Sequence, residues 1–167
     1  FHPDDDVKAA ILTPSHQFPL GGAMTIADRQ NYIHWAKTKG VWLIEDDYDS
    51  EFRFSGIPIP AMSAYDSNGR CLYVGSFSKI FSTGLKLGYL VLPDELIDAF
   101  QKGLEVFPTK AASSAQRPLA LFFRDGEFSR HLKKMKRHYG ERRQVVLDIL
   151  KGPLAGLIEF ENSEAGM

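Results

Sequence analysis

The chain of 167 residues has a single cysteine, Cys71, so no disulfide forms within it, and this thiol usage fits a reducing cytoplasm. It also lacks an excess of charge. Twenty Lys+Arg against 21 Asp+Glu leave a formal net charge of −1, which gives no bulk electrostatic pull towards nucleic acid or an anionic membrane. No apolar run approaches the ~20 residues of a membrane span. Internal repeats and low-complexity segments are absent, and Phe1–Lys8 carries no signal-peptide pattern. The first residue is Phe1 rather than methionine, and Glu161–Met167 has no closing motif, so the sequence reads as a piece of something longer. What is present is ordinary globular composition: 44% hydrophobic, 25% charged and 12% aromatic residues. That suffices for a core and excludes a disordered tail, a collagen-like repeat and a disulfide mini-protein.

Four short apolar runs predict strands: Ala9–Thr13, Val41–Ile44, Arg70–Gly75 and Leu87–Leu92. Thr25, three residues before Asp28, predicts a helix start, and Gly40 predicts its end after Lys39. Asp94 is expected to cap a second helix running to Val106, with acids in its first turn. Ser113–Arg124 reads as a third helix, in which Pro118 marks a kink or a first turn. In the last helix Phe128, Leu132, Met135, Tyr139, Val146 and Ile149 recur at helical spacing, with a gap around Arg142, until Gly152-Pro153 stops it. Its other face carries Arg130, Lys133, Lys134, Lys136, Arg137, Arg142 and Arg143. With no interleaved aromatics and no recognition motif, this basic face reads as solvated rather than as a nucleic-acid surface. Continuous apolar strands alternating with helices predict an α/β three-layer sandwich with a mainly parallel central sheet. Ligand sites in such sheets lie beyond the carboxyl ends of the strands.

Two segments occupy such ends. In Ser76-Phe77-Ser78-Lys79 a lysine with two flanking hydroxyls follows a strand, and Lys86 adds a second cation. A partly desolvated Lys79 could act as a nucleophilic amine, and Ser76 and Ser78 could bind phosphate. The alternative is an ordinary polar turn. In Glu45-Asp46-Asp47-Tyr48-Asp49-Ser50-Glu51 five acids cluster. The cluster is open to three readings. It could be a divalent-metal site, though EF-hand spacing and its glycine are absent. It could be a solvated strand end. Or it could supply one carboxylate that holds a protonated ring nitrogen, with Tyr48 donating to a neighbouring oxygen. The interval from Asp46 to Lys79 allows one excursion before the chain returns to the same sheet edge. A carboxylate, a phenol, a lysine and paired hydroxyls together are the inventory for pyridoxal phosphate.

TPSHQFP at Thr13–Pro19, IEDDYDSEFRFSG at Ile44–Gly56, YVGSFSK at Tyr73–Lys79 and LKLGYLVLP at Leu85–Pro93 resemble the aminotransferase-like domain of MocR-type regulators of the GntR superfamily. So does HLKKMKRHYGERR in the last helix. These proteins join a winged helix-turn-helix to a fold-type-I pyridoxal-phosphate domain. The resemblance implies that Lys79 forms the internal aldimine, Asp46 partners the pyridine nitrogen and Tyr48 lies near the ring oxygen. It also implies that Ser76 and Ser78 contribute to the phosphate cup. Lys86 stands where the family usually has arginine, which keeps the charge but loses the bidentate fork. His16 and Gln17 fall in the loop where related aminotransferases place an asparagine beside the cofactor. The resemblance further implies that residues 1–126 are part of the cofactor-binding large domain. Residues 127–167 would be the connecting helix and the start of the small domain. The winged helix and most of the small domain would lie outside the chain. It implies a small amine or amino-acid effector or substrate, DNA contact only through the absent domain, no membrane, a cytoplasmic location and a homodimer at full length. The piece alone is expected to be inactive. A true aminotransferase of the same fold shares this core chemistry and remains the alternative reading.

Overall fold

In the computed structural model, which describes residues 6–107, 111, 113–160 and 164–166, the chain is an α/β unit around a four-stranded sheet of order β1-β2-β3-β4. The strands are β1 (Ala9–Leu12), β2 (Trp42–Asp47), β3 (Cys71–Ser76) and β4 (Gly88–Val91). The β1–β2 and β2–β3 pairs are parallel and β4 is antiparallel to β3, so the sheet is mainly parallel. The helices are α1 (Ile26–Lys39), α2 (Asp94–Val106), α3 (Ser113–Arg124) and α4 (Glu127–Lys151), with a 3-10 turn at Met62–Tyr65.

Helix α1 begins as its sequence dictates. The Thr25 hydroxyl accepts from Asp28 N–H at 3.1 Å, and Gly40 closes the helix in the left-handed conformation, φ 68°. Its buried residues Ile33 and Ala36 pack with Val41, Leu43, Met62 and Cys71 into the core cluster. Burying each large apolar side chain there contributes about 1.5–3 kcal/mol. Burial also pushes the Cys71 thiol up to about 12, which leaves it an inert core residue.

Several expectations need correction. Strand β2 does not end at Ile44; it continues through Glu45, Asp46 and Asp47, because the inward carboxylates of Glu45 and Asp47 find partners within the fold. The end strands are less buried than their apolar sequences suggest: all four β4 residues are exposed, and in β1 Ala10 and Leu12 pack against the core cluster while Ile11, on the opposite face, is 69% exposed. Asp94 is the first residue of α2 and not its cap, which is Pro93 with no side-chain bond. Pro118 lies inside α3, past its first turn. In α4 the inward face continues after Tyr139 through half-buried Arg143 and buried Leu147, while Val146 and Ile149 are exposed. Arg143 therefore leaves the basic face and packs its guanidinium over Phe54, 5.7 Å from the ring centroid.

Candidate functional site

Alternation along β2 sends its side chains to opposite faces of the sheet. Leu43, Glu45 and Asp47 are buried, whereas Trp42, Ile44 and Asp46 are half-buried. Glu45 lies against Arg29 of α1, both side chains being fully buried, with 3.7 Å between Oε1 and Nη1. It also accepts the N–H groups of Met62 (2.9 Å) and Ser63 (3.2 Å). Arg29 spends its remaining donors on the carbonyls of Met24, Pro60 and Pro14, which ties the loops flanking the strand ends to α1. Burial pushes the Glu45 carboxyl above, and the Arg29 guanidinium below, their ordinary ranges. Asp47 accepts from Tyr73 O–H at 2.5 Å and from the hydroxyl (2.6 Å) and N–H (3.1 Å) of Ser50. Burial and this carboxylate raise the Tyr73 phenol far above its usual value.

None of these bonds engages Asp46. It pairs in register with Val74 on β3, so Asp46, Val74 and Ser76 share one face near the carboxyl ends of two adjacent parallel strands. Immediately beyond β2, Tyr48 donates to the His16 carbonyl at 2.9 Å, and His16 Nδ1 lies 2.8 Å from Asp49 Oδ2. Burial raises the carboxyl of Asp49, while the bond to His16 and the charge of Lys79 act the other way.

Beyond β3 the chain turns through Ser78 and Lys79. The Ser76 oxygen accepts Ser78 N–H at 3.2 Å, which leaves the Ser76 hydroxyl hydrogen as a donor. The turn is anchored from behind. Ile80 is buried, its carbonyl lies 2.8 Å from His131 Nε2 of α4, and Phe81 stacks on the same imidazole at 5.0 Å. This stretch is thus not merely polar, because Ile80 and Phe81 hold it against α3 and α4. Lys79 is exposed rather than desolvated within this chain. Lys86 is exposed too and has φ 46°, a left-handed conformation that is uncommon outside glycine. Two glycines make the closing hairpin feasible. A Cβ on Gly75 would lie 2.2 Å from the Tyr89 ring, and one on Gly88 would lie 2.9 Å from the Gly75 carbonyl.

The donor set therefore suits pyridoxal phosphate in chemical type: Asp46 and Tyr48 follow one strand, and Ser76, Ser78 and Lys79 follow its neighbour, with Lys86 on the return. Among the described residues no group of three or more His, Cys, Asp or Glu side chains forms a metal cage. Partners that sequence reasoning left unassigned are Arg29, Asp49, Tyr73 and His131. Their roles depend on contacts between distant segments, and no local spacing announces them.

Comparisons with known proteins agree with this arrangement. The chain is 37% identical over 93% of its length to the uncharacterised HTH-type transcriptional regulator YhdI of Bacillus subtilis, covering 33% of that protein. It is also 37% identical over 96% of its length to the probable rhizopine catabolism regulatory protein MocR of Rhizobium meliloti, covering 32% of it. The chain thus spans about a third of the regulators it matches. Among solved structures, the kynurenine aminotransferase of Pyrococcus horikoshii, in complex with PMP, superposes with a TM-score of 0.87 at 26% identity. That match covers 96% of this chain and 40% of the other. The family described as aminotransferase class I and II matches residues 2–167, which implies pyridoxal phosphate as the cofactor and a partial fold-type-I domain. This chain belongs to the aminotransferase class I and II family.

Proposed function

We propose that the chain is the central part of the pyridoxal-phosphate-binding, aminotransferase-like effector domain of a MocR-type transcription regulator. The observation that carries this reading is the parallel register of β2 and β3, which sets Asp46 and Tyr48 beside the Ser76–Lys79 turn. The similarity to regulators at 37% identity supports the choice of a regulator.

Bound there, the cofactor would supply an electron sink for a substrate amine. Asp46, half-buried and without the bonds that occupy its odd-numbered neighbours, would hold a proton on the ring nitrogen. Tyr48 would orient the ring through its oxygen. Ser76 and Ser78 would donate to the phosphate, with Lys86 as a point charge beside it. Lys79 Nζ would hold the cofactor through its aldehyde. Residues 1–126 are assigned to the large domain. Residues 127–167 are assigned to the connecting helix, which opens after the left-handed Gly126, and to the start of the small domain. An amine or amino acid is the expected effector. DNA would be contacted through a winged helix outside this chain, in a cytoplasmic homodimer. Among the described residues no helix is long and apolar enough to cross a membrane.

The test is spectroscopic. The full gene product with pyridoxal phosphate should absorb in the visible, and borohydride should fix the cofactor on Lys79. An undiminished reducible adduct in Lys79→Ala would sink the assignment. Lys86→Arg should retain cofactor more tightly; equal or weaker retention would show that lysine is already compensated. The second reading, a genuine aminotransferase, draws support from the superposition on a solved aminotransferase. Catalytic conversion of an amino acid to its keto acid by the full protein would favour it.

A further inference from the structure

The loop at His16 and the acid at Asp49 are joined by a contact that the cofactor reading does not use. His16 Nδ1 lies 2.8 Å from Asp49 Oδ2, and the two side chains are 17% and 4% exposed. An ionised carboxylate can only accept, so Nδ1 carries the hydrogen. That hydrogen is then committed, although Tyr48 O–H lies 3.3 Å from the same nitrogen. The phenol instead donates to the main-chain carbonyl of His16 at 2.9 Å. On its other side the imidazole is backed by Gly166, where a Cβ would lie 2.3 Å from the ring. Asp49 thus anchors the His16 side chain, and the main-chain carbonyl of the residue so anchored receives the Tyr48 hydroxyl. The Asp49 Oδ1 atom is buried with no partner, a cost that a carboxylate retained only for packing would not need.

We propose that His16 and Asp49 are a positioning pair for Tyr48, holding its hydroxyl over the carboxyl end of β2. The inference rests on the reading of Tyr48 as a cofactor-facing residue. The charged groups around the phenol are Asp46, Asp47 and Asp49, with His16 beside it; those around Asp49 are His16, Asp47 and Lys79.

The experiment titrates the visible absorbance of the cofactor-loaded full gene product against pH, together with cofactor retention. Tyr48→Phe should move the midpoint. Asp49→Ala and His16→Ala should move it in the same direction, by about half a pH unit. Asp49→Ala combined with Tyr48→Phe should add nothing to Tyr48→Phe alone. His16→Asn, whose amide N–H takes the place of Nδ1–H, should restore the midpoint, whereas His16→Gln should not. Asparagine and glutamine both avoid an empty site, so this comparison remains decisive if the alanine variants do not fold. Wild-type midpoints in both alanine variants, a fully additive double variant, or equal behaviour of His16→Asn and His16→Gln would overturn the pair. A silent Tyr48→Phe with an intact Lys79 adduct would overturn Tyr48's role and the pair with it. Absence of any adduct in the wild type would overturn the cofactor reading itself.

Discussion

Along β2 the acids on the two faces of the sheet meet opposite fates. Glu45 and Asp47 face the side on which α1 packs, and every oxygen named there is spent on Arg29, Met62, Ser63, Tyr73 or Ser50. Asp46 faces the other side with Ile44 and Trp42, half-buried and outside all of those bonds. A buried carboxylate with internal partners holds architecture in place, whereas one left to the open face keeps its lone pairs for a ligand. The difference teaches that a run of acids need not be one site. Here the pleat divides it into a scaffold and a single candidate functional group.

Four changes would break or sharpen that contrast. The largest effect is expected from Arg29→Met. It leaves Glu45 as an uncompensated buried charge and frees three carbonyls, so unfolding in urea should show a loss of about 3–5 kcal/mol. A loss under 1 kcal/mol would mean that the buried face is not the scaffold. Next, Gly75→Ala drives a methyl into the Tyr89 ring and should cost about 1–3 kcal/mol, part of which Tyr89→Ala should return. Third is a pH effect at Asp49. Its folded carboxyl is raised above the ordinary 3.8, so its contribution to stability is fully present below that value and is lost as pH rises through the raised one. Asp49→Asn should flatten the stability profile in that window; an unchanged slope would assign the slope to another group. The smallest effect is expected on the open face, where Asp46→Asn should change stability by less than about 0.5 kcal/mol while weakening the cofactor's electron sink. A large loss of stability would make Asp46 part of the scaffold too.

What could be read from the sequence follows from how local each signal is. Helix α1 is written in its own termini, Thr25 with Asp28 and then Gly40, because caps satisfy backbone groups within a turn. The placement of the acidic segment and the lysine turn at one edge of the sheet is also readable, from two apolar runs each followed by polar chemistry; that their strands are neighbours is shown by the register. The continuation of β2 through Glu45–Asp47 is not readable. Acids are poor strand formers, and contacts from distant segments, Arg29 and Met62 on Glu45 and Tyr73 on Asp47, make the inward acids acceptable there. The α4 register after Tyr139 departs from the apolar spacing for a related reason. Arg143 is polar by type, yet its guanidinium lies on Phe54, so it takes an inward position that apolar counting gave to Val146.

The strand order carries a consequence for how the molecule assembles. Among the described residues each strand pairs with its immediate successor in sequence, and none is inserted between two others. The β3–β4 hairpin, with Ser76 against Gly88, closes the shortest loop, whereas β1–β2, with Ala9 against Trp42, must wait for α1 to form the crossover. The Ser76–Gly88 turn bearing Lys79 is therefore predicted to be among the earliest-formed parts of the sheet.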